Sequence, residues 1–208
     1  MYFNKDNIAE IANVTAEELE YAVNSLKAEN GLQGLGICFI EAEEKYNINA
    51  IVLTAIACLE SAYGTSKLAR EKNNLFGLGA NDEYKGDANK YGGYFSTKED
   101  CVDYAAKKLR RQYLEEDPKA KWCYCGGATD IYAIGNIWCS NPEWADCIVD
   151  LSCRLSKAID EERDSHIDWK SKCLRAEEKL NKIREIVNDI DAASYSLEEE
   201  MEVPSNEY

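Results

Sequence analysis

The most constraining feature of this 208-residue chain is the run Ala50–Leu59, apolar except at Thr54, with Asn49 before it and Glu60 after it. Asn47 to Asn49 breaks the preceding pattern, and an Asn at the N-cap position starts a helix. A helix that is apolar on all sides cannot lie on a surface; it must be jacketed by other elements. The run is also far shorter than the roughly 20 apolar residues needed to cross a bilayer. The chain therefore needs a soluble core built around this segment, and no transmembrane helix is expected.

The remaining pattern supplies the jacket. Lys5–Val14 and Thr15–Ala28 read as short helices, the second opened by a capping box of Thr15 and Glu18, with Leu19, Val23 and Leu26 at helical spacing. Leu35–Tyr46 and Thr97–Leu114 read as further helices, and Pro142 begins a last body helix through about Leu155. Between Gly77 and Phe95 the composition turns to Gly, Asn, Asp and Tyr without a helical period. A long irregular stretch inside a compact domain is usually functional, and Tyr91–Ser96 could form a small hairpin. The expected class is α-rich α+β. Residues 1–30 form an N-terminal helical segment packed on the body, 31–155 the body, and 156–208 a C-terminal helix with a frayed acidic end.

In that last segment Trp169, Cys173, Ala176, Leu180, Ile183, Val187 and Ile190 alternate by four and three. This is the seam of a coiled coil, and it predicts a homo-oligomer or a virion partner bound through residues 169–190. The competing reading is an amphipathic helix folded back on its own domain.

A net charge of −15 disfavours nucleic acid and anionic lipid as partners. Met1–Glu10, which holds Asp6 and Glu10, lacks the basic, apolar and small-residue regions of a secretory leader. The expectation is synthesis and retention in a cytoplasm until release, or carriage in a virion. An odd number of cysteines, nine, without an export signal argues for reduced thiols. Cys123, Cys125 and Cys139 do not have the spacing of a zinc ribbon or finger, and His166 is the single histidine, set in a charged stretch. No metal or organic cofactor is expected.

Glu60 stands out chemically. A carboxyl at the rim of an apolar helix and beneath an aromatic ring is partly desolvated, which favours the protonated form that a general acid requires. Its surroundings, Leu59-Glu60-Ser61-Ala62-Tyr63-Gly64-Thr65-Ser66-Lys67-Leu68-Ala69 followed by Lys72-Asn73-Asn74-Leu75-Phe76-Gly77-Leu78-Gly79-Ala80, resemble the paired motifs of glycoside hydrolase family 73, the endo-β-N-acetylglucosaminidases. Tyr94-Phe95-Ser96 and Trp138-Cys139-Ser140-Asn141-Pro142-Glu143-Trp144-Ala145 resemble two further family segments, so the likeness covers about Gly31 to Leu155.

The resemblance implies a lysozyme-like helical domain with a small β-lobe. It also implies hydrolysis of the β-1,4 bond between N-acetylglucosamine and N-acetylmuramic acid in bacterial peptidoglycan, with Glu60 as general acid. Asn73, Asn74 and Phe76 would line the sugar cleft, and Tyr63, Tyr94 and Trp138 would serve binding, with Tyr84, Tyr91 and Trp122 as further stacking candidates. The family's tyrosine near the acid corresponds here to Trp138, which keeps a donor and loses a hydroxyl; Tyr132 or Tyr63 could substitute for it. The second catalytic group is expected at Glu83 or Asp82, with Asp87 also in the right segment, unless the substrate's own acetamido group attacks. A phage lysin is the expected setting. The rival readings are a catalytically weakened virion protein with the same fold, and a muramidase or lytic transglycosylase cutting the neighbouring bond.

Overall fold

The computed structural model describes residues 2–79, 92–115 and 126–201, with side chains through residue 193. It divides into two units, Met1–Glu162 and Arg163–Tyr208. Among the described residues the secondary structure is entirely helical: α1 Ala16–Leu26, α2 Gly36–Tyr46, α3 Ala50–Ser61, α4 Lys67–Lys72, α5 Lys98–Leu109 continued by a π-turn at Arg110–Leu114, α6 Ile131–Trp138 and α7 Trp144–Met201. The expected β-lobe falls largely outside the described residues. The part of the expected hairpin that is described is irregular, tied to the body where Gly93 N–H donates to Leu78 O (2.7 Å) and Phe95 N–H to Lys72 O (3.0 Å).

Helix α3 is the centre of the first unit, buried at every position except Leu59 and Glu60. Burying side chains such as Ile51, Leu53 and Ile56 contributes roughly 1.5–3 kcal/mol each before the entropy of ordering them is counted. The start of the helix is locked by two buried polar groups. Asn49 Oδ1 accepts from the N–H groups of Ile51 and Val52 (3.1 Å each), while its Nδ2 donates to Tyr2 O and Glu10 O. The Glu43 carboxylate, reaching over from α2, accepts from Ala12 N–H (2.7 Å) and Ala50 N–H (2.8 Å). Orphan donors at the helix start are thus satisfied, and the N-terminal segment is fastened to the core by the same groups.

Those bonds explain why Lys5–Val14 is not the helix that its pattern predicts. Asn4 and Asn7 turn the backbone locally by accepting from the N–H groups of Asp6 and Ala9. Ile8 N–H donates to Thr129 O, and Ile8 O accepts from Asn49 N–H. The peptide groups that a helix would use internally are spent on tertiary bonds, with Ile8 and Ala12 buried in the core. In the other direction, α6 was not expected from sequence. Its signal is Asp130, whose carboxylate accepts from Ala133 N–H (2.8 Å) ahead of the buried Ile131 and Ile134.

Helix α7 continues through Leu155 without a break. Leu155, Ala158 and Ile159 belong to the core of the first unit, so the body ends nearer Glu162. In the second unit the seam residues stay open: Trp169 is 67 % and Ile190 61 % exposed, and Leu180, Ile183 and Val187 are exposed as well. His166 is exposed.

Candidate active site

Glu60 occupies the last turn of α3, one residue inside its end. Ser61 Oγ donates to Ala57 O and accepts from Gly64 N–H, which pins the turn that follows. Ala62 (φ 51°), Tyr63 (φ 60°) and Gly64 (φ 75°) are consecutive left-handed residues, an arrangement costly for the first two and kept only because its surroundings fix it. The fixing contact is a glycine pair. Gly31 N–H donates to Tyr63 O (2.8 Å), and a Cβ on Gly64 would lie 2.6 Å from the Gly31 carbonyl carbon. The backbones meet at a distance that only two glycines permit, and this sets the direction in which the chain leaves Glu60.

Two indoles converge on the carboxyl. Trp144 Nε1 donates to Glu60 Oε1 at 2.7 Å and Trp138 Nε1 donates to the same oxygen at 3.1 Å. The indoles stack at 6.1 Å between centroids, and Tyr113 packs against Trp138 at 5.5 Å. Trp144 reaches this position because α6 carries Gly135 beneath it: a Cβ there would be 2.9 Å from Trp144 Cε3. Burial raises the Glu60 carboxyl above the ordinary glutamate range, and the Trp144 and Trp138 donors oppose this by stabilising the carboxylate.

The geometry distinguishes the two oxygens. An indole N–H can only donate, so Oε1, faced by two donors, must act as acceptor. The proton of the acid form therefore sits on Oε2. That oxygen faces the loop after α4, where Gly77 (φ 63°) presents no side chain; a Cβ there would lie 3.4 Å from Oε2. A carboxylic acid with one oxygen anchored and the other carrying a proton is suited to donate that proton to a leaving group.

The other expected site residues divide sharply. Asn74 is 1 % exposed and fully engaged by its own loop. Its Nδ2 donates to Leu78 O and Gly93 O, and its Oδ1 accepts from Phe76 and Leu78 N–H. Asn73, left-handed at the end of α4, donates to Phe95 O and Ser96 O. Both amides shape the loop, and the amide–sugar contact expected of Asn74 has no free group to make it. Phe76 is core, and the position beside Glu60 belongs to Gly77, a motif residue whose left-handed backbone has no mark in the sequence beyond the glycine itself. Tyr63 is half-buried, with Lys27 Nζ 5.5 Å from its ring centroid, and Tyr94 is 70 % exposed.

Asp82, Glu83, Asp87, Tyr84, Tyr91 and Trp122 lie outside the described residues, as do Cys123 and Cys125. Among the described residues no hydroxyl bonds Glu60, and the Tyr132 hydroxyl donates instead to Asp146 Oδ1 (3.1 Å). Trp138, expected to serve substrate binding, bonds the Glu60 carboxyl, as does Trp144, which stands six residues on in the same segment and carried no signal of its own.

Residues 37–157 match the family model described as Glucosaminidase, mannosyl-glycoprotein endo-beta-N-acetylglucosaminidase. The chain belongs to this glucosaminidase family. Glu60, Gly77, Gly135, Trp138 and Trp144 all fall inside the matched region. The chain is 32 % identical over 159 residues to a protein named putative endo-beta-N-acetylglucosaminidase from Streptococcus pneumoniae, an alignment covering 74 % of this chain and 22 % of the relative. It is 28 % identical over 155 residues to the beta-N-acetylglucosaminidase of Bacillus subtilis, covering 66 % of this chain and 17 % of the relative. The chain thus spans about a fifth of the length of these curated relatives. In fold it is similar to S. aureus autolysin E, solved as a catalytic mutant in complex with the disaccharide NAG-NAM, at a TM-score of 0.57 and 24 % identity, covering 76 % of this chain and 73 % of that one. The same coverage, identity and TM-score hold for autolysin E in complex with the muropeptide NAM-L-Ala-D-iGlu.

Proposed function

We propose that this glucosaminidase is a peptidoglycan hydrolase that cleaves the β-1,4 bond between N-acetylglucosamine and N-acetylmuramic acid, with Glu60 as general acid. The observation that carries the proposal is the asymmetric carboxyl: Oε1 held by the Trp144 and Trp138 N–H groups, Oε2 turned to Gly77, where the acid form would carry its proton. Donation from Oε2 to the glycosidic oxygen leaves a carboxylate whose charge the two indoles are already positioned to stabilise, so little reorganisation accompanies proton loss. Family membership supplies the reaction class. The curated relatives named as glucosaminidases, and an autolysin of similar fold that binds a NAG-NAM disaccharide, support the choice of polymer.

The oxocarbenium-like centre that develops opposite the acid needs a negative group or an internal nucleophile. Asp82 and Glu83 remain our candidates for the former and the substrate acetamido group for the latter. A fall of about a hundredfold or more in Asp82→Asn or Glu83→Gln assigns the residue, whereas two near-native variants favour the acetamido route. The central test is hydrolysis of purified peptidoglycan by wild type and Glu60→Gln, with mass analysis of the products. Expected are cleared walls and N-acetylglucosamine at the new reducing ends for the wild type only. Equal clearing by both proteins, or N-acetylmuramic acid at the reducing ends, overturns the reading.

A self-association role for the second unit is also proposed, supported by the exposed seam of Trp169, Leu180, Ile183, Val187 and Ile190. Because Leu155, Ala158 and Ile159 are core, the informative truncation follows Glu162. An unchanged molar mass per particle, beyond the residues removed, would reject self-association.

A further inference from the structure

Next to the catalytic turn, an open pocket of ≈ 750 Å³ lies between the end of α3 and the first turns of α7. Cys58, Leu59 and Leu151 give it an apolar floor, and Tyr63 forms one wall. Leu59 and Glu143, both in its lining, are the chain neighbours of Glu60 and Trp144, which are themselves not part of it, so the pocket shares backbone with the acid and its indole partner but not their side chains.

The charges around the pocket are not balanced. Lys27 is occupied by Ala62 O (3.4 Å) and Thr65 Oγ1 (3.3 Å), and lies against the Tyr63 ring. Arg154 pairs with Asp150 at 3.6 Å. Glu143, just ahead of α7, and Asp146, in its first turn, have no cationic partner among the described residues, where the Asp146 carboxylate accepts the Tyr132 hydroxyl. With three carboxylates and two cations in its lining the pocket is acidic by one charge, and an apolar floor bordered by two carboxylates that bind no cation favours an alkyl stem ending in an ammonium group. In a chain of net charge −15 it disfavours an anionic ligand.

We propose that this pocket is a binding subsite for the peptide portion of the wall polymer, taking an aliphatic side chain with a primary ammonium group. The alkyl part packs on Leu59 and Leu151, and the ammonium lies between Glu143 and Asp146. This assignment rests on the peptidoglycan reading above. Its consequence is that glycan carrying amino-bearing peptides binds better than bare glycan, through contacts separate from those that perform the chemistry.

The test is titration of the isotope-labelled full chain with Nα-acetyl-L-lysyl-D-alanine, with its Nε-acetylated counterpart, and with n-butylamine, following the amide resonances of Tyr63, Cys147 and Leu151. Saturable shifts are expected with the first peptide, and affinity lower by about tenfold or more for the other two ligands, since a charge-assisted bond is worth roughly 1.5–3 kcal/mol. The double variant Glu143→Gln/Asp146→Asn, exposed at both positions, should lose the same factor, and Glu60→Gln should lose nothing. Equal affinity for the two peptides removes the ammonium from the proposal. Butylamine binding as tightly as the peptide reduces the site to a simple cation pocket, and absence of saturable shifts rejects it altogether. Peptide binding retained in a protein whose Glu60→Gln variant still clears walls would overturn the catalytic reading and leave this pocket standing.

Discussion

Replacing Trp144 by Phe removes the shorter of the two bonds to Glu60 while keeping most of the aromatic volume that packs over Gly135. The bond lost is an N–H to a carboxyl oxygen at 2.7 Å. Such a bond is worth roughly 1.5–3 kcal/mol when the acceptor is charged and about half that when it is neutral. The loss therefore penalises the carboxylate more than the acid, by about 1 kcal/mol. Burial already raises the Glu60 carboxyl and the indoles pull it back, so removing one indole donor raises it further. A general acid works while protonated, and its loss on the alkaline side of the rate profile marks deprotonation. In Trp144→Phe that alkaline limb moves to higher pH. On the plateau the rate falls by up to about fivefold, the rate equivalent of about 1 kcal/mol, because negative charge developing on Glu60 as the proton departs has lost a donor. The assay is release of reducing ends from purified peptidoglycan across the pH range, with folding checked by near-ultraviolet circular dichroism. An alkaline limb that stays in place or moves down, with a native plateau, would refute the role assigned to Oε1.

Gly135→Ala places a methyl 2.9 Å from the Trp144 ring and 3.2 Å from Ala145 Cβ; it should cost about 1–3 kcal/mol in urea denaturation and reproduce the Trp144→Phe rate loss by displacing the indole. Gly64→Ala combines a left-handed φ with a clash against the Gly31 backbone, and should cost about 2–4 kcal/mol. Gly34→Ala, at φ 79° in open space, should cost only about 1 kcal/mol, so equal losses would show that the Gly31–Gly64 contact does not matter. Burial pushes the thiol of Cys58 up to about 12 and that of Cys101 to about 11, whereas Cys153 is exposed. Peptide mapping after brief alkylation of the native protein near pH 8 should find label on Cys153 and none on Cys58 or Cys101.

Much of the helical scaffold was legible in the sequence because its signals act within one turn. Thr15 with Glu18, Asn49 before Ile51, and Thr97 before Asp100 each make the capping bonds their spacing predicts. The all-round apolar character of α3 fixed it as the central helix before any partner was known. Lys5–Val14 misled because its helical spacing was read without the Asn turns and distant carbonyls that compete for the same peptide groups.

Glu60, our proposed general acid, was also legible in the sequence, since a carboxyl closing an apolar helix is visible along one dimension. Its environment was not. Trp138 and Trp144 stand 78 and 84 residues from Glu60, and nothing local to either says that both will aim at one oxygen. Gly135 and Gly77 act through the space that a missing Cβ leaves for a neighbour far along the chain, which a sequence records only as a glycine. Asn74 shows the converse, a polar residue in a catalytic motif whose groups tertiary structure commits to the backbone. Local hydrogen bonds and periodicity thus determined that this chain builds a buried helix ending in an acid. Long-range packing decided which oxygen is anchored by indole donors and which is left to carry the proton of the acid form, because that depends on where distant side chains meet.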